Sequence, residues 1–502
     1  MPEVDLPSSG YEISSNDLTP ETGWTTLYFD GTWETPVDRE TEPVLNPTTD
    51  EKLTDVVIGT AADVDRAFEA AAAAQNDWAE RSPQERSAII DDAIDILDKY
   101  WAAAKELLTV ESGATSLKAQ IELTTAKGMM KESRGLPFQV KGSTEESLIP
   151  GKENRVVREP AGVVGVISPW NFPLHLSMRA VAPALALGNA VVLKPASPTA
   201  ITGGLLLARI FEETGLPDGL LNVVTGPGST VGDRLAAHPD ASVVAFTGST
   251  DVGKHVASTT AGHLATPVME LGGNNPYVVT EHADLDAAID AGVYGSFLHQ
   301  GQVCISINRH LVHEDVYDEY VGRLADRASE LVVGDPLERE TDIGPVITDK
   351  QYEEIATLIK KSINGGATLE TGGAREGRFI APTVLSDATN DTAAACTEHF
   401  GPVAPIVPYS NDSEAVELAN DTEYGLAAAV QSTDLAQAEA IAADIEAGSV
   451  HINDQPINEE PHIPFGGTKA SGLGKFHGEQ FIEVLTESKW ISVQRQPRRY
   501  PL

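Results

Sequence analysis

The sequence predicts an α/β protein built on a parallel sheet with helices on both faces. From residue 162 to about 253, apolar strand-like runs alternate with helical stretches of about 10 to 15 residues, as in parallel sheets. Glycine, asparagine, lysine and threonine cluster where those runs end, and such sheets bind ligands at that edge. At 502 residues the chain also exceeds a single hydrophobic core, so two or three domains are expected.

Local patterns predict the individual elements. Residues 27–33 are predicted to form a strand, an Asp-Gly turn and a second strand. Apolar residues at i, i+3 and i+4 spacing predict helices from Ala61 to Ala74 and from Pro83 to Trp101. The alternating region is predicted to hold strands over 162–167, 189–194, 221–224 and 242–246, and helices over 174–187, 199–214 and 230–238. A second such series is predicted from Pro276 to about residue 460, followed by a strand-like tail.

The charge of the chain excludes two classes of partner. It has 35 basic and 75 acidic residues, a net charge of −40, and the acidic residues are spread along its length. Such a surface repels nucleic acid and anionic membranes. Distributed acidity of this size suits a salt-rich cytoplasm that screens the repulsion, so a halophilic protein is expected, with an unusually acidic mesophilic protein as the alternative.

Other classes are excluded by missing patterns. Two cysteines 92 positions apart cannot form a disulfide framework, and without CxxC or HExxH no metal site is expected. The first residues lack the basic and apolar regions of a secretory signal, and no run of about 18 apolar residues occurs. We therefore expect a cytoplasmic protein.

Cys304 is the candidate nucleophile. A thiol with the ordinary pKa of about 8.5 holds little thiolate at neutral pH, so a catalytic cysteine needs a base or amide donors beside it. Glu270, 34 residues upstream and followed by Gly272 and Gly273, is one candidate base. Taken alone, a cysteine is more often a small buried side chain, and we expect Cys396, the second cysteine, to be one.

Three further stretches place ligand-binding residue types at strand ends. The stretch 248–253 follows a strand and opens a helix, which is the placement of a phosphate site. Lys194 ends a strand, where it can bind ribose hydroxyls or be a solvated charge. Asn171 lies on a turn, where its amide can stabilise an oxyanion or cap a helix.

Together these stretches resemble the NAD(P)-dependent aldehyde dehydrogenase superfamily, in its order and approximate spacing, over nearly the whole chain. The stretches that carry the resemblance are Pro169–Pro173, Lys194–Pro195, Phe246–Thr250, Glu270–Gly273, Gly301–Cys304 and Glu398–Pro402. The resemblance implies that Cys304 is the nucleophile, Glu270 the general base, and Asn171 with the Cys304 backbone N–H the oxyanion hole. In that chemistry the thiolate adds to an aldehyde, a hydride passes to the nicotinamide, and the base activates water to hydrolyse the thioester.

The resemblance also implies a site for NADP or NAD. The residues expected to contact the cofactor are Ile167, Ser168, Trp170, Lys194, Ser197, Gly228, Phe246, Gly248, Ser249, Gly253, Leu271, Glu398 and Phe400. In NAD-preferring relatives the place of Ser197 is commonly held by glutamate, which repels a 2′-phosphate. A serine removes that repulsion, so NADP+ is expected to be accepted at least comparably to NAD+.

The fold implied by the resemblance has three parts. They are a Rossmann-like parallel-sheet cofactor domain, an α/β catalytic domain and a β oligomerisation arm. We expect the cofactor domain over 1–143 and 162–272, the catalytic domain over 273–460, and the arm with the C-terminal segment over 144–161 and 461–502. An arm of this kind adds an edge strand to a neighbouring subunit, so a homodimer or homotetramer is expected.

The substrate is expected to be an aromatic or medium-sized aldehyde. Asn274-Asn275 and the stretch 305–309 look like the benzaldehyde and vanillin dehydrogenase branch of the superfamily. A helix that begins near Asn171 is expected to turn Met178 and Arg179 towards an aldehyde channel, with Phe172 beside them. Semialdehyde-oxidising relatives carry a carboxylate-binding arginine at the place of Arg179, and the benzaldehyde-like branch has an arginine there too, so succinic semialdehyde is the alternative. A cysteine hydrolase that uses His299, five residues before Cys304, is the distant alternative.

Overall fold

The computed structural model describes residues 18–374 and 377–501. Its strands are β1 Leu27–Phe29, β2 Thr32–Glu34, β3 Thr41–Leu45, β4 Lys52–Val57, β5 Ser143–Glu146, β6 Lys152–Pro160, β7 Val163–Ile167, β8 Ala190–Lys194, β9 Leu221–Val223, β10 Ala241–Thr247, β11 Thr266–Glu270, β12 Asn275–Val279, β13 Ile307–His313, β14 Thr368–Ala374, β15 Ile380–Ser386, β16 Val403–Tyr409, β17 Ala427–Gln431, β18 Ser449–Ile452, β19 Gly472–Leu473 and β20 Thr486–Gln494.

The α-helices alternate with these strands along most of the described chain. They are α1 Ala61–Ala79, α2 Pro83–Lys99, α3 Trp101–Ser112, α4 Ser116–Ser133, α5 Pro173–Ala186, α6 Leu206–Glu212, α7 Asp233–Ala236, α8 Thr250–Ala261, α9 Leu285–Phe297, α10 Tyr317–Glu330, α11 Asp349–Asn364, α12 Asp412–Asn420, α13 Leu435–Asp444 and α14 Gly478–Val484. None of the helices in the described part of the chain combines the length and apolar character needed to cross a bilayer.

The first sheet has the strand order β19-β11-β10-β7-β8-β9-β1-β2 within the described residues. Its five central strands run parallel, whereas β19, β1 and β2 pair antiparallel at the edges. Strands β7 and β8 are buried at every position, as expected for strands covered by helices on both faces. The predicted parallel α/β sheet is confirmed. The antiparallel strands at its edges were not predicted, because the alternation of strands and helices does not indicate them.

The second sheet has the order β14-β15-β16-β13-β12-β17-β18 and is parallel apart from the β14–β15 pair. A third, antiparallel sheet has the order β20-β6-β5, in which β6 and β20 pair over nine residues each. Strand β19 belongs to the first sheet although it lies within 461–502. The division into domains stays a prediction, and its residues 1–17 lie outside the described part of the chain.

The starts of several helices are set by side chains that cap their free N–H groups. Thr60 with Asp63 and Ser82 with Glu85 form capping boxes at α1 and α2, so both helices begin where side chains satisfy the first free N–H groups. The helix predicted over 199–214 begins later, with a π turn over Ile201–Leu205 that precedes α6. The buried Glu111 carboxylate accepts the N–H groups of Ile201 and Thr202, each at 2.8 Å, and so caps this turn from a distant helix.

Candidate active site

Cys304 lies in the loop that leads into β13 and lines two pockets. Its carbonyl oxygen accepts a hydrogen bond from Asn275 Nδ2 at 2.8 Å, which ties the loop to the start of β12. A Cβ on Gly273 would stand 2.6 Å from the same oxygen, so the close approach requires glycine. Burial, and next the charge of Glu270, raise the pKa of the thiol well above its usual value, and Arg179 opposes this. The resting site therefore holds a protonated thiol that needs a base.

Glu270 is the last residue of β11 and is fully buried. Its Oε1 has no hydrogen-bond partner among the described residues, and Arg179 Nη2 lies 3.5 Å from its Oε2. Burial raises the pKa of this carboxyl, while the Arg179 charge opposes the rise. An unpartnered carboxylate oxygen in a pocket that the Cys304 thiol also lines is placed to accept a proton.

Asn171 is buried on the turn between β7 and α5 and lines both pockets. Its Nδ2 donates to the Gln302 carbonyl at 3.0 Å, which fixes the amide beside the loop that carries Cys304. An amide nitrogen carries two hydrogens, so Asn171 Nδ2 can also donate to a ligand oxygen near the thiol. The three predicted catalytic residues are therefore brought together from three distant parts of the chain.

The first pocket is mostly apolar and extends from the Cys304 thiol. Its polar side chains include Thr125, His175 and Tyr294. The apolar lining consists of aromatic and branched side chains from α5, the Cys304 loop and the C-terminal third of the chain, including Phe172, Leu176, Leu298, Val303, Ile457 and Phe465. A pocket of this composition suits a flat, uncharged ligand.

The prediction that Met178 faces the substrate is wrong. Helix α5 begins at Pro173 and directs Phe172, His175 and Arg179 into the first pocket. Successive helical residues are rotated by about 100°, so Met178 points to another face. It is fully buried in the core of the first sheet and lines neither pocket.

Arg179 lines the first pocket, and its guanidinium is already engaged by protein groups. Nη1 donates to Glu459 Oε1 at 3.0 Å, and Nη2 donates to Thr247 Oγ1 at 2.9 Å. The guanidinium also lies 4.3 Å from the ring centroid of Phe476. Glu459 comes from a loop 280 residues away in sequence, and no local sequence pattern identified it.

The second pocket lies on the other side of the thiol, at the carboxyl ends of the first sheet's strands. Six of the predicted cofactor residues line it: Trp170, Gly248, Ser249, Leu271, Glu398 and Phe400. Five further lining residues were not among the predicted site residues: Pro169, Thr247, Gly272, Gln351 and Glu354. The last two lie on α11, whose sequence pattern is that of an ordinary surface helix, so only the tertiary fold reveals them.

The geometry of the second pocket fits a nicotinamide dinucleotide. Helix α8 begins at Thr250 beside the pocket, and its free N–H groups favour an anionic pyrophosphate. At the opposite end, Gly273 N–H donates to Glu398 Oε1 at 3.0 Å, and a Cβ on Gly272 would stand 2.3 Å from Glu398 Oε2. The glycines thus leave room for a buried carboxylate that can accept from ribose hydroxyls.

The side chains around Glu398 are also constrained. Burial raises the pKa of Glu398 to about 7. Phe400 has a φ of 48°, in the left-handed region, and its ring meets Trp170 edge-on at 5.4 Å between centroids. This aromatic pair bounds the pocket opposite Cys304.

The other predicted cofactor residues lie outside the lining of the second pocket. They are Ile167 at the end of β7 and Ser168 after it, Lys194 at the end of β8 and Ser197 after it, Gly228 after β9, Phe246 in β10 and Gly253 in α8. Packing explains the glycine at position 253, because a Cβ there would stand 2.1 Å from Leu271 Cδ2. Their contacts with a cofactor stay predictions.

Glu42 is a carboxylate near the predicted ribose site that the sequence did not reveal. Its strand β3 packs against the turn Ser197–Thr199, and its Oε1 is buried without a hydrogen-bond partner among the described residues. Burial lowers the pKa of Lys194 to about 8, and the charge of Glu42 opposes this. Glu42 on β3 therefore places a negative charge near Lys194.

The structure also bears on the expectations for Cys396 and His299. Cys396, expected to be buried, is exposed, because it lies in a surface turn between β15 and β16. His299 is buried edge-on against Phe172 at 5.7 Å between ring centroids and lines neither pocket. Burial lowers the pKa of His299 well below its usual value, so its ring is neutral and does not form a thiolate–imidazolium pair.

Comparisons with known proteins agree with this geometry. The family model described as "Aldehyde dehydrogenase family" matches residues 33–491. The chain is 46% identical to a vanillin dehydrogenase of Corynebacterium glutamicum, over 90% of this chain and 94% of that protein. It is 41% identical to a benzaldehyde dehydrogenase of Bacillus subtilis, over 94% and 98% of the two chains.

Solved structures extend the similarity to the whole architecture. A betaine aldehyde dehydrogenase of Staphylococcus aureus in complex with NAD+ has a TM-score of 0.92 at 32% identity, covering 95% of this chain and 96% of that one. An NADP-dependent enzyme of Escherichia coli has a TM-score of 0.92 at 33% identity, covering 95% and 99%.

Proposed function

The chain belongs to the aldehyde dehydrogenase family, and on that premise we propose that it oxidises uncharged aromatic aldehydes to carboxylic acids. As a member of the family it is an NAD(P)-dependent oxidoreductase. The observation that carries the substrate proposal is the apolar pocket on Cys304, in which the one lysine or arginine among the described lining residues, Arg179, is already paired with a carboxylate.

The first half of the reaction uses Cys304 and Asn171. The thiol loses its proton to solvent, and the resulting thiolate forms a carbon–sulfur bond with the aldehyde carbon while the carbonyl π bond breaks and its electrons move to oxygen. Asn171 Nδ2 and the Cys304 backbone N–H donate to that oxygen. A nicotinamide held by the residues of the second pocket would supply the hydride acceptor, and loss of a hydride from the same carbon would leave a thioester on Cys304.

The second half uses Glu270. Its unpartnered Oε1 supports a role in taking a proton from the water that attacks the thioester carbon. Collapse of the tetrahedral species breaks the carbon–sulfur bond, returns the thiolate and releases the acid. The residues proposed to hold the cofactor are those of the second pocket, with Glu398 on the nicotinamide ribose and the start of α8 on the pyrophosphate.

The aromatic substrate class has two supports. The first pocket presents Phe172, Phe465 and branched aliphatic side chains to the ligand. Relatives over 40% identical across nearly the whole chain are named as vanillin and benzaldehyde dehydrogenases. The alternative, succinic semialdehyde, needs a cation for its carboxylate, and Arg179 is the lining residue that would have to supply it.

A substrate panel tests this proposal. We expect kcat/KM for benzaldehyde and vanillin to exceed that for succinic semialdehyde by at least about tenfold, or about 1.4 kcal/mol in transition-state binding. The measurement is reduction of NAD+ or NADP+ followed by absorbance at saturating cofactor. A panel in which the semialdehyde is preferred by the same factor would assign Arg179 to substrate binding and reverse the proposal.

Cofactor choice is expected to depend on two groups with opposite effects. Ser197 lacks the charge that repels a 2′-phosphate, whereas the half-buried Glu42, whose Oε1 is buried, supplies one from β3. We expect Ser197→Glu to lower kcat/KM for NADP+ by at least about tenfold relative to NAD+, and Glu42→Gln to raise that ratio by a similar factor. Glu40→Gln, an exposed neighbour, is the control. An unmodified enzyme that favours NAD+ by about a hundredfold, with no response to Glu42→Gln, would contradict both assignments.

We propose that the chain assembles into a homodimer or homotetramer through its third sheet. Strand β5 is exposed at all four positions, and large apolar side chains on or beside this sheet are exposed, among them Leu148, Trp490 and Ile491. Such a surface suits burial against a second subunit. Light scattering at high salt measures the mass, and a monomer would contradict this part of the proposal.

A further inference from the structure

Arg179 lies between two carboxylates at the wall of the first pocket. Its Nη1 is 3.0 Å from Glu459 Oε1, and its Nη2 is 3.5 Å from Glu270 Oε2. The Arg179 side chain is 1% exposed, and that of Glu459 is 12% exposed. The pair is therefore almost free of solvent screening, and both residues face a ligand in the pocket.

Glu459 is held in place by groups other than Arg179. Its Oε2 is 2.8 Å from His175 Nε2, and its Oε1 is 3.3 Å from His477 Nε2. Burial alone would raise the pKa of Glu459, but Arg179, and next His175, outweigh it and bring the pKa well below the usual value. Burial lowers the pKa of His477 to about 3, so that ring adds no positive charge. The carboxylate is ionised, and it cancels the charge of the guanidinium it touches.

We propose that Glu459 determines the substrate class of this enzyme by occupying the guanidinium of Arg179 as an internal carboxylate. This inference rests on the proposed function. An aldehyde with its own carboxylate would have to displace Glu459 from Arg179 and leave that largely buried carboxylate without its guanidinium partner, which is strongly unfavourable. An uncharged aromatic aldehyde can bind without displacing Glu459 from Arg179. Glu459 thus converts a site with a semialdehyde-type arginine into one for neutral aldehydes.

The experiment compares Glu459→Gln and Glu459→Ala with the unmodified enzyme on benzaldehyde and succinic semialdehyde. We expect the ratio of kcat/KM for the semialdehyde over that for benzaldehyde to rise at least about tenfold, chiefly through a lower KM for the semialdehyde. Glu460→Gln is the matched control, because Glu460 is the exposed neighbour and lies 3.7 Å from His462 on the outside of the same loop. It should leave the ratio unchanged.

A binding readout that needs no turnover supports the kinetic one. Succinate should slow alkylation of Cys304 by iodoacetamide in the Glu459 variants at concentrations at least about tenfold lower than in the unmodified enzyme. Adding Arg179→Met to Glu459→Gln should remove the gain. An unchanged substrate ratio together with unchanged succinate protection in a folded Glu459→Gln enzyme would overturn the inference. Failure of the unmodified enzyme to oxidise benzaldehyde would instead refute the proposed function, so the two failures are separate.

Discussion

Replacing Cys304 with alanine is expected to lower kcat/KM for aldehyde oxidation by at least about 10⁴-fold, or about 5.4 kcal/mol. Cys304 lines both pockets, and no other cysteine of the described chain is among their lining residues. Without sulfur no thiohemiacetal forms, so the carbon that must lose a hydride is never activated. The measurement is steady-state reduction of NAD(P)+, with cofactor binding followed separately by fluorescence.

The control for this variant is Cys396→Ala. Cys396 is exposed, with Sγ 3.8 Å from the carbonyls of Asp391 and Ala393, and it lies outside both pockets. Its replacement should leave the activity within about twofold and the cofactor affinity unchanged, because a solvent-exposed thiol supports little of the fold. Full turnover by Cys304→Ala would show that the reaction does not pass through this thiol.

Glu270→Gln is expected to separate the two halves of the reaction. Glutamine keeps the size of the side chain but cannot take a proton, so oxidation should produce one equivalent of NAD(P)H per active site in a burst. The steady rate that follows should be about 10² to 10⁴-fold lower, because the thioester waits for an unassisted water. Rapid mixing measures the burst, and mass spectrometry of the stalled enzyme should find the acyl group on Cys304.

The pH dependence follows from the burial of the same carboxyl. Burial raises the pKa of Glu270, so the residue remains protonated at pH values where an ordinary glutamate, with a pKa of about 4.3, is ionised. Its activity as a base is present above the raised pKa and is lost as the pH falls through it. The acid limb of the hydrolysis rate should therefore lie above the ordinary carboxyl range and should be absent in Glu270→Gln. Steady turnover by that variant would show that Glu270 has no essential role. The absence of a burst would assign Glu270 to activation of the thiol.

The sequence pointed to the candidate reacting residues because they lie in local motifs at strand ends. Asn171 follows β7, Glu270 is the last residue of β11 and Cys304 precedes β13, and the structure brings all three to one pocket. The same holds for Gly248 and Ser249, which open helix α8.

What the sequence could not reveal depends on contacts between distant segments. Glu459 reaches Arg179 across 280 residues, and Glu42 reaches the turn after β8 from an N-terminal hairpin. Neither has a local pattern that distinguishes it from any other acidic residue of a chain with 75 of them. Met178 shows a different limit, because adjacent helical residues point about 100° apart, so Arg179 lines the first pocket while Met178 packs in the core.

The two pockets share only Cys304 and Asn171 among their described lining residues. The two pockets therefore meet at Cys304 and Asn171 and are otherwise lined by different residues. If the aldehyde binds in the first pocket and the dinucleotide in the second, as we propose, each ligand can occupy its pocket without displacing the other. A reduced dinucleotide could then leave the second pocket while the acyl group remains on Cys304.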